Sequence, residues 1–458
     1  MSTPSHQTPK ERAEHGQSLR AQCPRSAHGD WSPAADRPDP IVLIEEQNAD
    51  RLEWLIPVRR ARMSASPFAF FRGSARIMAA DLAATPVTGI TVQCCGDAHL
   101  ANFGFFASPE RQLVFDINDF DETLAGPWEW DVKRLAASFT IAGRHNGLDK
   151  DDCRRVTERA VRAYRKAMAD FAEMRTVDIW YALLHEDQFV ETADDHGRED
   201  EAEEITEEAK SKDSRQALDK LAVEVDGEYR IKSEPPLLVP FREIRDELPR
   251  KNIRKLIDDS FEAYRETVPD DCKALLKRFR TVDAALKVVG VGSVGTRCVI
   301  LLLEGRDRKD PLFLQIKQAS RSVLEEFLPP SPYENHGQRV VEGQRLMQTV
   351  SDIFLGWNSG TDDKDYYWRQ LRDWKGSADV EALKERDLRY LARLCGWTLA
   401  RAHARSGDPI AIAGYLGKGK TFDRALAEFA KRYADQNERN FEAFTEKIRR
   451  GCLSIAEE

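Results

Sequence analysis

The stretch from Cys95 to Asp131, CGDAHLANFGFFASPERQLVFDINDFDETLAGPWEWD, constrains the fold more than any other part of the chain. A turn containing Gly and Ala sets Asp97 and Asn102 five positions apart. The apolar run Leu113–Phe115 follows, bounded by turn residues, and reads as a short strand. Three acids, Asp116, Asp119 and Asp121, come directly after it. A loop, a strand and a carboxylate just past the strand would bring Asp97, Asn102 and Asp119 to one rim of a sheet. Phosphoryl transfer needs those groups: one Asp takes the proton of an attacking hydroxyl, while an Asn and a second Asp hold magnesium against phosphates. Magnesium is a hard ion that keeps several waters, and a carboxylate beside an amide oxygen suits it. A calcium loop starting at Asp116 would need Gly sixth and Glu twelfth, where Asp121 and Pro127 stand, so that reading fails. A solvated acidic turn remains the plain structural alternative.

A second constellation begins at Leu286, in LKVVGVGSVGTRCVILLLEGRDRKDPLFLQIKQAS. Gly290, Gly292 and Gly295 form GxGxxG, which a dinucleotide site would follow with a helix. Here Cys298–Leu303 is Leu-rich and β-branched and reads as a strand. A turn around Asp307–Asp310 and a second strand, Leu312–Ile316, lead to Lys317. Strand, Gly loop, strand, turn and strand with Lys is the order of a kinase small lobe. The glycines would admit backbone amides to the phosphates, and Lys317 would neutralise them. A plain hairpin with a surface Lys is the alternative. An acid on the next helix would orient that Lys; Glu325 and Glu342 are candidates. Helical spacing of Val341, Leu346 and Met347 favours Glu342. Residues 363–377 read as a strand and a hinge where an adenine would stack.

GDAHLAN is similar to the catalytic loop of aminoglycoside-phosphotransferase-like and choline-kinase-like enzymes, which runs His-Gly-Asp-x-His-x-x-Asn. Cys95 stands here in place of the first His. DFDETLAGPWEWD resembles the metal-binding segment of the same superfamily, which ends in a buried Asp twelve residues after the metal-binding one. Counting back from Asp131 selects Asp119 over Asp116 and Asp121. The resemblance implies that Asp131 braces the catalytic loop from beneath. More narrowly, GDAHLANFG, FRGSARIMAADL and GQRLMQTVSDIFLGW together resemble the bacterial domain-of-unknown-function family 2252, from about Pro67 onward. That likeness implies a fold superfamily and no substrate.

In the superfamily the small lobe precedes the catalytic loop, whereas here the Gly loop and Lys317 come long after it. The segment 390–408, YLARLCGWTLARAHARSGD, is similar to the helix that normally enters the catalytic loop. Here it runs instead into GYLGKGK and a final helix. The Gly-Lys-Gly-Lys at 417–420 does not satisfy a phosphate-loop pattern and reads as a loop. The expected fold is therefore α+β: a two-lobed protein-kinase-like fold in circularly permuted order, with a helical large lobe and a small antiparallel β lobe. The expected divisions are a disordered tail over 1–40, large-lobe parts over 41–180 and 379–458, an acidic and helical insert or linker over 181–280, and the small lobe over 281–378.

The remaining signals bound this reading. Ser66-Pro67 predicts a helix start, Thr91–Gln93 a short strand, and Asn146-Gly147 a break between two helices. Arg72 is either a phosphate or carboxylate clamp or a structural partner for an acid. Residues 190–215 form the strongest acidic run and read as solvated. A formal net charge of −9 argues against a general nucleic-acid binder. No apolar run approaches the roughly 18–20 residues of a membrane span. Eight cysteines without a CxxC pair read as reduced thiols of a cytoplasmic protein. The activity expected is ATP- and magnesium-dependent phosphotransfer to a small hydroxylated acceptor, or to a protein. Nucleotidyl transfer on the same fold and a non-catalytic ATP-binding regulator are the alternatives.

Overall fold

The computed structural model of the chain describes residues 7–185, 206–243, 250–371, 374, 376 and 378–456. Helices α1 (Pro9–Ser18), α2 (Pro40–Asn48), α3 (Ile56–Ser64), α4 (Pro67–Arg72) and α5 (Ala75–Ala83) come first. At α4 the Ser66 hydroxyl accepts from the Ala69 amide at 3.0 Å, and Pro67 takes the first turn, where no donor is needed. Four short strands follow: β1 (Thr91–Cys94), β2 (Phe103–Ala107), β3 (Leu113–Ile117) and β4 (Leu124–Pro127). β1 pairs with β4 and β2 with β3, both antiparallel. The chain then turns into α6 (Trp128–His145) and α7 (Lys150–Glu173), broken at Asn146-Gly147 as the sequence predicts.

Every residue of α6 from Trp128 to Gly143 is buried, which makes it the central helix. It carries four ionisable side chains into that interior, and a buried charge needs a partner. Glu129 accepts from the Thr88 amide and hydroxyl, and Lys133 donates to the Thr85 hydroxyl at 2.7 Å. Asp131 and Arg134 each find a partner in the loop after β1 and another outside it, at His403 and at Phe71 O.

Beyond α8 (Thr176–Tyr181) and the short β5 (Leu184–His185), which extends the β2–β3 pair, come α9 (Ser214–Leu221) and the hairpin of β6 (Ala222–Val225) and β7 (Glu228–Ile231). After them are β8 (Leu238–Pro240), α10 (Arg250–Arg265), α11 (Asp270–Leu276), β9 (Arg280–Lys287), β10 (Cys298–Glu304) and β11 (Pro311–Ala319). The helix α12 (His336–Met347) then leads to β12 (Gly356–Ser359) and β13 (Asp365–Gln370). Six strands form one antiparallel sheet in the order β12-β13-β11-β10-β9-β8. The continuous apolar run of β10 reflects burial on both faces. Leu301 and Leu303 pack with Phe261, Tyr264 and Leu276 on one side; Ile300 and Leu302 pack with Leu218, Leu221 and Ile231 on the other. The described part of the expected insert or linker over 181–280 packs on both faces of the sheet and supplies its edge strand β8. The acidic stretch 186–205 lies outside the described residues.

The expected disordered tail over 1–40 is corrected for residues 7–40. Helix α1 lies against α14 (Pro409–Leu416) so closely that a Cβ on Gly16 would meet Ala411 O at 2.0 Å, and one on Gly414 would meet Ala13 O at 2.5 Å. Arg20 and Arg25 donate to the carbonyls of Tyr415 and Leu416, occupying acceptors that the helix end leaves open. Trp31 is buried against Phe429 and Tyr433 of α15 (Thr421–Arg449). Helix α13 (Glu385–Ser406) runs along α7, with Gly396 against the Ala160 carbonyl. No described helix is long and apolar enough to cross a membrane.

Candidate functional site

The loop after β1 is built on α6. The Asp131 carboxylate accepts the buried amides of Cys95 at 2.7 Å and Gly96 at 3.0 Å. His403 of α13 places its Nε2 3.2 Å from Asp131 Oδ2 and its Nδ1 2.9 Å from the Tyr164 hydroxyl. Gly96 sits at φ +81°, and a Cβ there would lie 2.4 Å from Glu122 O. Only glycine fits that turn. One turn further along α6, Arg134 Nε donates to Asp97 Oδ1 at 2.5 Å and Nη2 to Phe71 O at 2.9 Å, with its guanidinium over the Phe71 ring. Asn102 Nδ2 donates to the Asp97 carbonyl at 2.8 Å, and the Asn118 amide donates to Asn102 O. Asp97 and Asn102 are thus fixed to each other and to the start of the acidic segment.

Burial raises the Asp97 carboxyl above the ordinary carboxylate range, against the pull of Arg134 and Arg72. His99, beside it at 3.7 Å, is pushed well below its usual value by burial and by the same two arginines.

Lys317 comes from β11 opposite Cys298, the first strand residue after the Gly loop. Its ammonium is buried 2.6 Å from Asp121 Oδ2 and 3.8 Å from Asp119 Oδ1, near the face of Tyr367. Burial alone would lower Lys317, but Asp119 and Asp121 lift it well above the usual range. Burial also raises Asp119, helped by repulsion from Asp121. For Asp121, Lys317 and the Tyr367 hydroxyl (2.6 Å) more than offset burial and hold it low. Asp121 and Tyr367, with Arg369, which donates to Asn118 O, are the members that sequence reasoning missed. The spacing to Asp131 points to Asp119 and passes over Asp121; only the register of β11 against β13 brings Lys317 and Tyr367 side by side.

Two expectations for this region are corrected. Glu342 does not reach Lys317; it pairs with Arg345 on its own helix at 3.0 Å. Glu325 is no substitute, since it caps its own turn at Ser322 and lies 3.9 Å from Arg339. The acid facing Lys317 comes from the loop after β3. Asp116 is taken up by Arg401 and the Ile117 and Thr349 amides, all away from Lys317.

The Gly loop bends over this group. Gly290 and Gly295 have φ of +62° and +91°, values that favour glycine. Arg62 donates to Gly290 O at 2.6 Å, the Leu52 amide to Gly295 O at 2.8 Å, and Ser293 to Asp121 Oδ2 at 3.3 Å. Two cavities, of about 400 and 620 Å³, open on either side. Asp97, His99, Asp121 and Glu122 line the smaller; Lys317, Gln315, Arg369 and Leu371 line the larger. Arg72, Asn102, Asp119, Gly290 and Ser293 line both and form the seam between them.

Glu122 accepts from the Val323 amide at 2.8 Å, yet burial raises its carboxyl to about 7. A carboxyl raised on folding adds stability that is complete below its unfolded value near 4.5 and is lost as pH rises through 7. The unfolding temperature of the parent is therefore expected to fall relative to Glu122→Gln between pH 4.5 and 7.5. Parallel curves would refute that assignment.

Asn102 and Asp119 present hard oxygen ligands at the seam, which fits magnesium. Among the described residues no group of three or more His, Cys, Asp or Glu is arranged to hold a metal alone. A two-residue set agrees with an ion that takes its other ligands from phosphates and water.

The model of a family described as an uncharacterised protein conserved in bacteria matches residues 51–447. No match is found among the curated proteins or among the solved structures.

Proposed function

The chain belongs to the DUF2252 family, and on that footing we propose that it is an ATP- and magnesium-dependent phosphotransferase with a kinase-like fold in circularly permuted order. The observation that carries this reading is the seam: Asp97 opens into one cavity, Lys317 into the other, and Asn102 and Asp119 stand between them. The larger cavity would take the nucleotide and the smaller the acceptor. The order β9, Gly loop, β10, β11 with Lys317, α12, β12 and β13 supports it, being that of a kinase small lobe. The end of α13 supports the permutation: the Ser406 hydroxyl accepts from the Gln93 amide at 3.0 Å, so this helix ends beside the strand that enters the Asp97 loop.

In the proposed reaction the acceptor hydroxyl forms its bond to the γ-phosphorus, the bond to ADP breaks, and the proton passes to Asp97. Arg134 holds that carboxylate in place. Magnesium, held by Asn102 and Asp119, would supply charge neutralisation for the phosphates. Lys317 adds a fixed positive charge on the nucleotide side. Asp119→Asn is expected to abolish magnesium-dependent ATP binding. The parent at a hundredfold excess of ATP over its Kd should gain about 2.7 kcal/mol of stability that the variant lacks. Equal ATP affinity in the two proteins, by titration calorimetry, would show the assignment to be wrong.

One observation favours nucleotidyl transfer as a second reading. The larger cavity is lined by Lys287, Lys317 and Arg369 with the buried Gln315, Gln344 and Gln348. The amides of Gln370 and Leu371, where a purine edge would bond, are already donated to Asp352 and to Phe313 O. Such a lining suits the β- and γ-phosphates of a nucleotide bound the other way round, with its α-phosphorus at the seam, the arrangement nucleotidyl transfer would need. Product masses after incubation with ATP distinguish a gain of phosphate from a gain of AMP.

A further inference from the structure

We propose that Arg72 is a catalytic residue of this site, its guanidinium binding the oxygens of the phosphorus under transfer; the proposal rests on the phosphotransferase reading above. Arg72 ends α4 and is the only cation, among the described residues, that lines both cavities. Its neighbours at the seam are Asn102, Asp119, Gly290 and Ser293. The other arginines nearby are engaged, Arg51 with Val294 O among them. Arg134 is bound to Asp97 and Phe71 O, Arg339 to the carbonyls of Thr123, Asp121 and Ser320, and Arg369 to Gln315 and Asn118 O. Arg72 makes no ion pair among the described residues, and its Nε is buried without a hydrogen-bond partner. A buried guanidinium donor left open is costly unless something else supplies the acceptor. Planar donors matched to phosphate oxygens are what a guanidinium offers.

The position of Arg72 is set from both sides. Phe71 O accepts from Arg134, the same arginine that holds Asp97, so the end of α4 and the proposed base share one anchor. On the other side a Cβ on Gly292 would lie 3.3 Å from Arg72 O, so the Gly loop rests on this residue's backbone. Arg72 therefore keeps a fixed relation to the base and to the phosphate loop alike. No bond to Arg72 forms or breaks. Its charge offsets that of the oxygens on the phosphorus while the acceptor bond forms and the bond to ADP breaks.

The test uses the full chain with Mg·ADP, alone and with aluminium fluoride, which mimics a phosphoryl group in flight. In the parent, aluminium fluoride is expected to tighten ADP retention by about 10²-fold or more. In R72Q the Kd for Mg·ADP should stay within about threefold of the parent, while the gain from aluminium fluoride disappears; R72K should recover little of it, because an ammonium cannot span two oxygens. If R72Q keeps the parent's gain, the proposal is overturned and the phosphotransferase reading stands. If the parent binds Mg·ADP but gains nothing from aluminium fluoride, or does not bind it, that reading fails and the proposal fails with it. Loss of Mg·ADP binding in R72Q and R72K alike would make Arg72 a ground-state ligand and overturn the catalytic role.

Discussion

Replacing Asp97 with Asn is expected to slow ATP-dependent transfer by about 10²- to 10⁴-fold, the usual worth of a positioned proton acceptor. The variant keeps the shape of the side chain and its contact with Arg134 but not its basicity. Lys317, Asp119, Asn102 and the Gly loop do not depend on the Asp97 carboxylate, so ATP affinity should hold. Rate and affinity should therefore separate, with turnover falling and the Kd unchanged. A rate within threefold of the parent would remove Asp97 from the chemistry. A parallel loss of ATP binding would make it a ligand rather than a base. The raised Asp97 carboxyl points the same way, since burial makes it a stronger base than a surface Asp, while Arg134 keeps it aimed.

Asp131→Ala carries the largest expected effect on stability. It removes the acceptor for the Cys95 and Gly96 amides and strands the His403 imidazole opposite an empty position. Two amides without partners cost about 1–3 kcal/mol each, so a loss of about 2–6 kcal/mol is expected. Urea unfolding measures it directly. Turnover should fall as well, because Asp97 follows those two amides in the chain. A variant as stable as the parent would mean that the loop holds its shape without α6.

How much of this was legible in the sequence follows the range of the forces involved. The helix start at Ser66-Pro67, the break at Asn146-Gly147 and the strand expected over Leu113–Phe115, which the structure extends to Ile117, are set by local chemistry. The apolar runs of β10 and β11 were legible as strands, but not as strands covered on both sides, because the covering helices come from α9–α11. The tail misled for a definable reason. Residues 7–40 dock through Gly16 against a helix backbone and through arginines that cap carbonyls, with little apolar surface beyond Cys23 and Trp31. A composition rule built on apolar content has no access to such contacts. The choice of Glu342 failed similarly: helical periodicity located α12 correctly but does not say which carboxylate faces Lys317, and β-sheet register decided that in favour of Asp121.

The link between Asp131 and His403 joins residues 272 positions apart. A ribosome making this protein emits the Asp97 loop well before its imidazole support. Until α13 has left the exit tunnel, the nascent chain lacks one wall of the loop's foundation. Premature stop codons anywhere before His403 should accordingly yield products without a competent centre, even though every catalytic candidate precedes that point.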